Sequence, residues 1–427
     1  MAKSRTAFGR PVEKRGSQKM SVTAEEVAAT RDWLGQYGPD ERGGMTRLLF
    51  TREWLDAQLA LKQRFEDLGM SAAFDEVGNL IATYPGTDGT GEVIATGSHV
   101  DTVVQGGKLD GALGIFGGYL AVKDLIETYG APRKSLRIIS MAEEEGSRFP
   151  FVFWGSKNLV GTIPASDLKG VADAEGVPFT EALTESGFGL RTSAKSGLDD
   201  VKAFVELHIE QGNTLEMEGK TVGVVNAIAG QRRYNITLSG QANHAGTTRM
   251  CYRHDVIQVF AEIVAGSIAK ANVEGDPLVL TFGHIEVTPN TVNVVPGHAM
   301  FTMDCRHTDK ETLVRFSEEI EADMARIAAE HGVGIEIDRW MDEDPVPMDT
   351  ELVSLIEETC AERGANYRVM HSGAGHDSQV IAPHVPTGML FVPSIGGVSH
   401  NPAEDTDPQE LAEGIDALAA VLHKLAY

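Results

Sequence analysis

Residues 93–141 carry the pattern that most constrains this chain. VIATGS (93–98) and LRIISM (136–141) are short apolar runs of the kind that form strands buried on both faces. Between them, LGIFGGYLAVKDLIETYG (113–130) has the length and apolar spacing of a helix. Strand, helix, strand at this distance predicts a parallel pair, because parallel neighbours need a crossover of a dozen or more residues. The expected fold class is therefore α/β with a largely parallel sheet. AFVELH (203–208) supplies another strand, and FDEVGNLIATYPG (74–86) reads as a strand pair at an edge. Residues 23–36 and 52–69 read as amphipathic helices.

A second pattern begins near residue 230. RRYNITLSG (232–240), LVLTFGHIEV (278–287), AMFTMDCRH (299–307) and GIEIDRW (334–340) read as strands. HDVIQVFAEIVAGSIAKAN (254–272) and residues 309–332 read as helices, the latter with Leu313, Phe316, Ile320, Met324 and Ile327 on one face. The order βαββαβ is a compact split unit. A chain of 427 residues exceeds one ordinary core. The expected division is a catalytic domain of residues 20–229 plus 343–427 and an inserted lid or dimerisation domain of residues 230–342.

Composition limits the partners. The chain is 42% hydrophobic and 23% charged, and no apolar run reaches the ~18 residues of a membrane span. The formal charge of −25 argues against non-specific binding to nucleic acid or to anionic lipid. An anionic substrate would need local positive charge. Cys251, Cys305 and Cys360 are too few and too widely spaced for a disulfide framework or a zinc ribbon, so a cytoplasmic location is expected. Residues 1–19 are basic without an apolar stretch; they read as a disordered arm or an overlong start rather than a secretory signal.

GSHVDTVVQGGKLDG (97–111) sets His99, Asp101 and Asp110 among glycines where a strand ends. It reads either as a solvated turn or as half of a metal site. MAEEEGSR (141–148), ELHIEQG (206–212) and GGVSHNPAE (396–404) also follow strands. Taken singly, a histidine at a strand end is more often structural, and an EEE run is usually a solvated face. Two-metal hydrolases need imidazoles on each ion and a carboxylate between them, gathered where α/β strands end. Spacing alone does not show that these segments converge. GALGIFGG (111–118) does not fit a dinucleotide fingerprint, because its glycine spacing is wrong and the preceding loop is acidic.

GSHVDTVVQGGKLDG, EEEGSRF, ELHIEQG, GQRRYNITLSGQANHAGTT, PNTVNVVPG, SGAGHD and SHNPAE, in this order, resemble the motif series of the dinuclear-metal amidohydrolases. That family contains N-carbamoyl-L-amino-acid hydrolases, β-alanine synthases and allantoate amidohydrolases. GGMTRLLF, RFPFVFWGSKN, DCRHTD and WMDEDPVPM resemble the allantoate branch.

The resemblance implies a role for each matching residue. His99 and His208 would bind one ion, Glu145 and His400 the other, and Asp110 would bridge them. The ions would be two divalent cations, manganese or zinc. Glu144 would be the general base, with the Glu143–Glu145 register resting on Gly146. Asp101 would orient His99. His244 would stabilise the oxyanion, often from the partner subunit of a homodimer. Arg306 would clamp a substrate carboxylate, or else be a surface arginine paired with Asp304 or Asp309. Gln211, Asn293 and Gly375 would complete the site for a small anionic ureido substrate. His376 and Asp377 are assigned no ligand role, and Cys305 reads as a packed residue. Metals and clamp would lie on different domains, with hinges near 225–232 and 340–347. The activity implied is hydrolysis of allantoate to ureidoglycine. The rivals are an N-carbamoyl-L-amino-acid hydrolase and a non-catalytic metal- or ureide-binding relative.

Overall fold

The computed structural model describes residues 22–162, 168–192 and 196–427. The arm expected at residues 1–19 lies outside the described residues.

The larger sheet is mixed. Its centre consists of strands Ser135–Met141, Val93–His99, Val201–Ile209 and Thr387–Val392, side by side and parallel. The first two match the apolar runs expected to be buried, and Val93–His99 and Thr387–Val392 are buried at every position. Antiparallel strands flank the centre. The hairpin Ser71–Phe74/Leu80–Tyr84 forms one edge, its first strand starting ahead of the pair expected at 74–86, and Val222–Ile228 pairs antiparallel with Thr387–Val392 on the other side.

Helices cover both faces. Ala112–Tyr129 is the crossover between the first two parallel strands, and it packs with Pro408–Ala426 and Ala24–Leu34 over the main core. Thr23 and Thr51 accept the backbone N–H groups of Glu26 and Trp54, capping the first two helices close to where sequence placed their starts.

A second sheet runs Ile285–Thr288, His298–His307, Gly230–Ser239, Gly334–Glu343. Alternate residues Tyr234, Ile236 and Leu238 face Phe301, Met303 and the helix Lys310–Glu330, whose expected apolar face (Leu313, Phe316, Ile320, Met324, Ile327) is buried throughout. This core is separate from that of the larger sheet.

One expectation needs correction. The strand at 278–287 is two pieces, Val279–Thr281 and Ile285–Thr288, both paired with His298–His307. Thr281 lies opposite Asp304 while Ile285 lies opposite Phe301, so one extra residue is accommodated around Gly283 as a bulge. No uninterrupted apolar run of ~18 residues occurs, as expected, but helix Val256–Glu274 is long and apolar enough, by length and composition, to cross a membrane. Its pattern hides this, since Gln258, Glu262 and Lys270 interrupt the apolar run; it packs on the second sheet through Val256, Val259 and Ile263.

Candidate metal centre

The four central strands deliver their C-terminal ends to one place. His99 ends Val93–His99, Glu143–Glu145 follow Ser135–Met141, and His208 lies near the end of Val201–Ile209. His400 lies on the loop after Thr387–Val392. Asp110 precedes the helix Ala112–Tyr129 that starts beside them. This is where open α/β sheets gather ligands.

Two groups of donors share Asp110. On one side, His99 Nε2 and His208 Nε2 lie 3.9 and 3.3 Å from Asp110 Oδ1, with all three residues buried. On the other, His400 Nε2 lies 3.1 Å from Asp110 Oδ2 and 3.3 Å from Glu145 Oε1. Each group has its ligand atoms close enough to hold one ion. The far ring nitrogens are held by backbone: His208 Nδ1 is 2.9 Å from the Ile209 carbonyl, and His99 Nδ1 is 3.1 Å from the Asp101 carbonyl. These contacts turn Nε2 of each ring towards Asp110.

Asp101 contacts both His99 and the glutamate turn. Its Oδ2 accepts the backbone N–H groups of both Glu144 and Glu145, at 3.1 and 3.2 Å, while its Oδ1 lies 3.5 Å from His99 Nδ1. It therefore ties a histidine to the turn that carries the glutamates. The three glutamates diverge there. Glu145 faces His400, while Glu143 folds inward, buried, and accepts the N–H of Ser147.

The donor set suits cations. Burial pushes Glu145 up to about 7, assisted by Asp110 and opposed by His99 and His400. Burial also holds Glu144 well above the ordinary carboxylate range, with Glu145, Asp377 and Asp101 adding to it against His99. Burial disfavours charge on His99, but Asp101, Glu144 and Asp110 outweigh it and hold that ring well above the usual imidazole value. Hydrogen bonding to Asp110 raises His400 to about 9. Crowded carboxylates beside imidazoles that favour protons form a pocket of excess negative charge, which divalent ions would neutralise.

Among the expected substrate residues, Gln211 stands at this cluster, with its amide nitrogen 3.1 Å from Asp110 Oδ2. Arg306 is reached from the second sheet. Its pairing with Asp304 is present: Nε and Nη2 bond that carboxylate at 2.9 and 3.0 Å, and Nη1 donates to the Gly373 carbonyl at 2.6 Å. Three of its five N–H donors are thus engaged. Gly375 is two residues further along the same turn, where a side chain would crowd Gln379 and Phe153.

His244 and Asn293 are not brought to the cluster within one chain. They share the ribbon of Asn243–His244 and Val294–Val295, both exposed, and the Asn293 carbonyl accepts the N–H of Ala245. Among the described residues, the recorded hydrogen bonds of the His244 side chain stay local, to Gly246.

A buried layer supports the cluster. His376 packs edge-on to His208 with ring centres 4.6 Å apart, and its Nε2 lies 2.8 Å from Ser372 Oγ. Burial, then His208, keeps it well below the usual imidazole value, hence neutral. Although Glu206, His208 and His376 could also hold an ion, the oxygens of Glu206 accept from Ser98 and Ser378. Cys305 is packed as expected, its thiol pushed up to about 12 by burial and then by Asp304. Sequence reasoning passed over Glu404, Ser399 and Arg47, which surround Asp110 and Asp101; the first two lie inside the quoted SHNPAE and the third inside GGMTRLLF.

Residues 95–424 match the sequence profile of peptidase family M20/M25/M40. The chain belongs to this family. Within it, the chain is 53% identical to allantoate amidohydrolase of Escherichia coli over 94% of its own length and 98% of the relative's. It is 47% identical to the allantoate amidohydrolase of Bacillus subtilis over 96% and 99%. The N-carbamoyl-L-amino-acid amidohydrolase of Paenarthrobacter aurescens is 35% identical over 90% and 94%. A solved structure, a putative amidohydrolase/peptidase from Burkholderia cenocepacia, superposes with a TM-score of 0.88 at 32% identity, covering 95% of this chain and 98% of that one.

Proposed function

We propose that this chain is a metal-dependent allantoate amidohydrolase, converting allantoate to ureidoglycine, ammonia and carbon dioxide in the recovery of purine nitrogen. The observation that carries this is full-length similarity to two allantoate amidohydrolases, at 53% and 47% identity, well above the 35% to a carbamoyl-amino-acid hydrolase. The intact donor set around Asp110 supports a catalyst over a non-catalytic relative.

His99, His208 and Asp110 would hold one divalent ion, and Asp110, Glu145 and His400 a second, manganese or zinc. When bound, such ions supply Lewis acidity to water and to the ureido carbonyl. Glu144, partly exposed on the turn that also carries Glu145, would take the proton of the attacking water and return it to the departing nitrogen. Asp101 fixes this glutamate through its own backbone N–H and keeps His99 in line. The free donors of Arg306, with the backbone at Gly375, take the substrate carboxylate. Gln211 and Asn293 bond the ureido groups, and His244 stabilises the oxyanion.

The exposed ribbon of His244 and Asn293 makes their contribution to a neighbouring subunit the natural arrangement, through a homodimer formed by residues 230–342. In this reading residues 20–229 plus 343–427 form the catalytic domain and the enzyme works in the cytoplasm. The two units would close about the connections near 225–232 and 340–347.

The test is ammonia release by metal-stripped protein, after manganese or zinc is restored, on allantoate beside an N-carbamoyl-L-amino acid. Metal-dependent turnover of allantoate is expected. Turnover of the carbamoyl amino acid alone would move the chain to the sister activity.

A further inference from the structure

Glu404 is buried at the metal centre and has no part in the chemistry above. Its Oε1 accepts the backbone N–H groups of Leu109 and Asp110, at 2.9 and 3.0 Å. Its Oε2 lies 3.0 Å from Ser399 Oγ, and that hydroxyl is also 3.2 Å from Asp110 Oδ2. Ser399 directly precedes His400. One carboxylate thus spans the loop of the shared ligand and the loop of a terminal ligand, nearly 300 residues apart in sequence. The chain makes room for it at Gly107, where a β-carbon would overlap Oε1.

The need for such a tie is seen at His400. The other histidines of the centre, His99 and His208, are buried on strand ends, whereas the His400 side chain is 48% exposed on a loop. Its φ of +54° lies in the left-handed region, which a non-glycine residue occupies only when its surroundings hold it there. From below, the wholly buried Arg47 donates Nε to the Val100 carbonyl at 2.8 Å, and its charge acts on both Asp101 and Glu404.

We propose that Glu404 is a positioning residue of the metal centre: by tying the main chain at Asp110 to Ser399, it holds exposed His400 against Asp110 and sets the affinity of the ion bound by Asp110, Glu145 and His400. This rests on the two-ion reading given under the proposed function. The ion of His99, Asp110 and His208 keeps its buried, strand-held imidazoles and depends less on the tie.

The test is titration of the metal-stripped full chain with Co2+, followed by calorimetry and visible absorption. Wild type is compared with Glu404→Ala and Glu404→Gln. The glutamine retains an oxygen for the two N–H groups and an amide for Ser399. In Glu404→Ala, the first ion should bind with near-wild-type affinity and the second about 10–100-fold more weakly, with an altered second-site spectrum. Glu404→Gln should recover most of the loss. Unchanged affinity for the second ion in Glu404→Ala, or equal loss at both positions, would overturn the proposal. If Glu404→Ala does not fold, Ser399→Ala replaces it, and wild-type affinity for the second ion there would overturn the proposal equally. A wild-type chain that takes up only one ion removes the two-ion reading and this proposal with it. That outcome is distinct from failure of the proposal alone, in which wild type and variant both take up two.

Discussion

Gly111 lies against the imidazole of His99 so closely that a β-carbon at position 111 would overlap the ring. Its φ of +62° also lies where glycine is favoured. This contact brings Asp110 and the start of the helix Ala112–Tyr129 up to His99. Gly111→Ala should therefore push Asp110 and His99 apart and lower metal affinity about 10–100-fold, the scale of losses when ligand orientation is disturbed. Metal content after desalting, beside circular dichroism to check the fold, measures this. A folded alanine variant that retains its ions would contradict it.

Glu144→Gln keeps the shape of the side chain and removes its capacity to carry a proton. The expected result is a fall in kcat of about 10²–10⁴-fold, with metal uptake and KM little changed. Steady-state kinetics on a metal-quantified sample decides. Residual activity near wild type would assign the proton transfer to another group.

Arg306 is braced on one edge by Asp304 and by the Gly373 carbonyl, so its remaining donors point in a set direction. Arg306→Lys retains charge but loses the planar fork. The loss of a charged hydrogen bond, on the order of 1.5–3 kcal/mol, corresponds to a rise in KM for allantoate of roughly 10–100-fold. An unchanged KM would place the carboxylate elsewhere.

Ile320 is fully buried between the helix Lys310–Glu330 and the second sheet. Ile320→Ala should destabilise that unit by about 2–5 kcal/mol. Because this core is separate from the larger one, the folded variant should still take up metal like wild type. Urea denaturation followed at Trp340, on the second sheet, and metal titration in native buffer test the two halves of this prediction.

Regular packing was legible in the sequence where burial has a period. The face of Lys310–Glu330 and the buried central strands were read directly, since apolar spacing reports which side meets the core. The edge strand was misread as continuous because a bulge depends on pairing with His298–His307, which no local pattern encodes. At the site, His99, Asp110, Glu145, His208 and His400 were legible only as motifs; their convergence follows from which strands are neighbours. Glu404 was invisible for a different reason. Two of its partners are backbone N–H groups, and backbone donors look the same at every residue of a sequence.

The second sheet leaves the larger one after Val222–Ile228 and returns through Val346–Pro347, and these two strands are hydrogen-bonded to each other, Val346 opposite Ile228. The excursion is therefore grafted onto a closed stem, like a flag on a two-strand mast. Its ends are already neighbours in the host, so the host sheet does not depend on what hangs beyond them to bring them together. Closing the stem with a shorter turn should therefore leave the order of the strands that carry the candidate ligands unchanged.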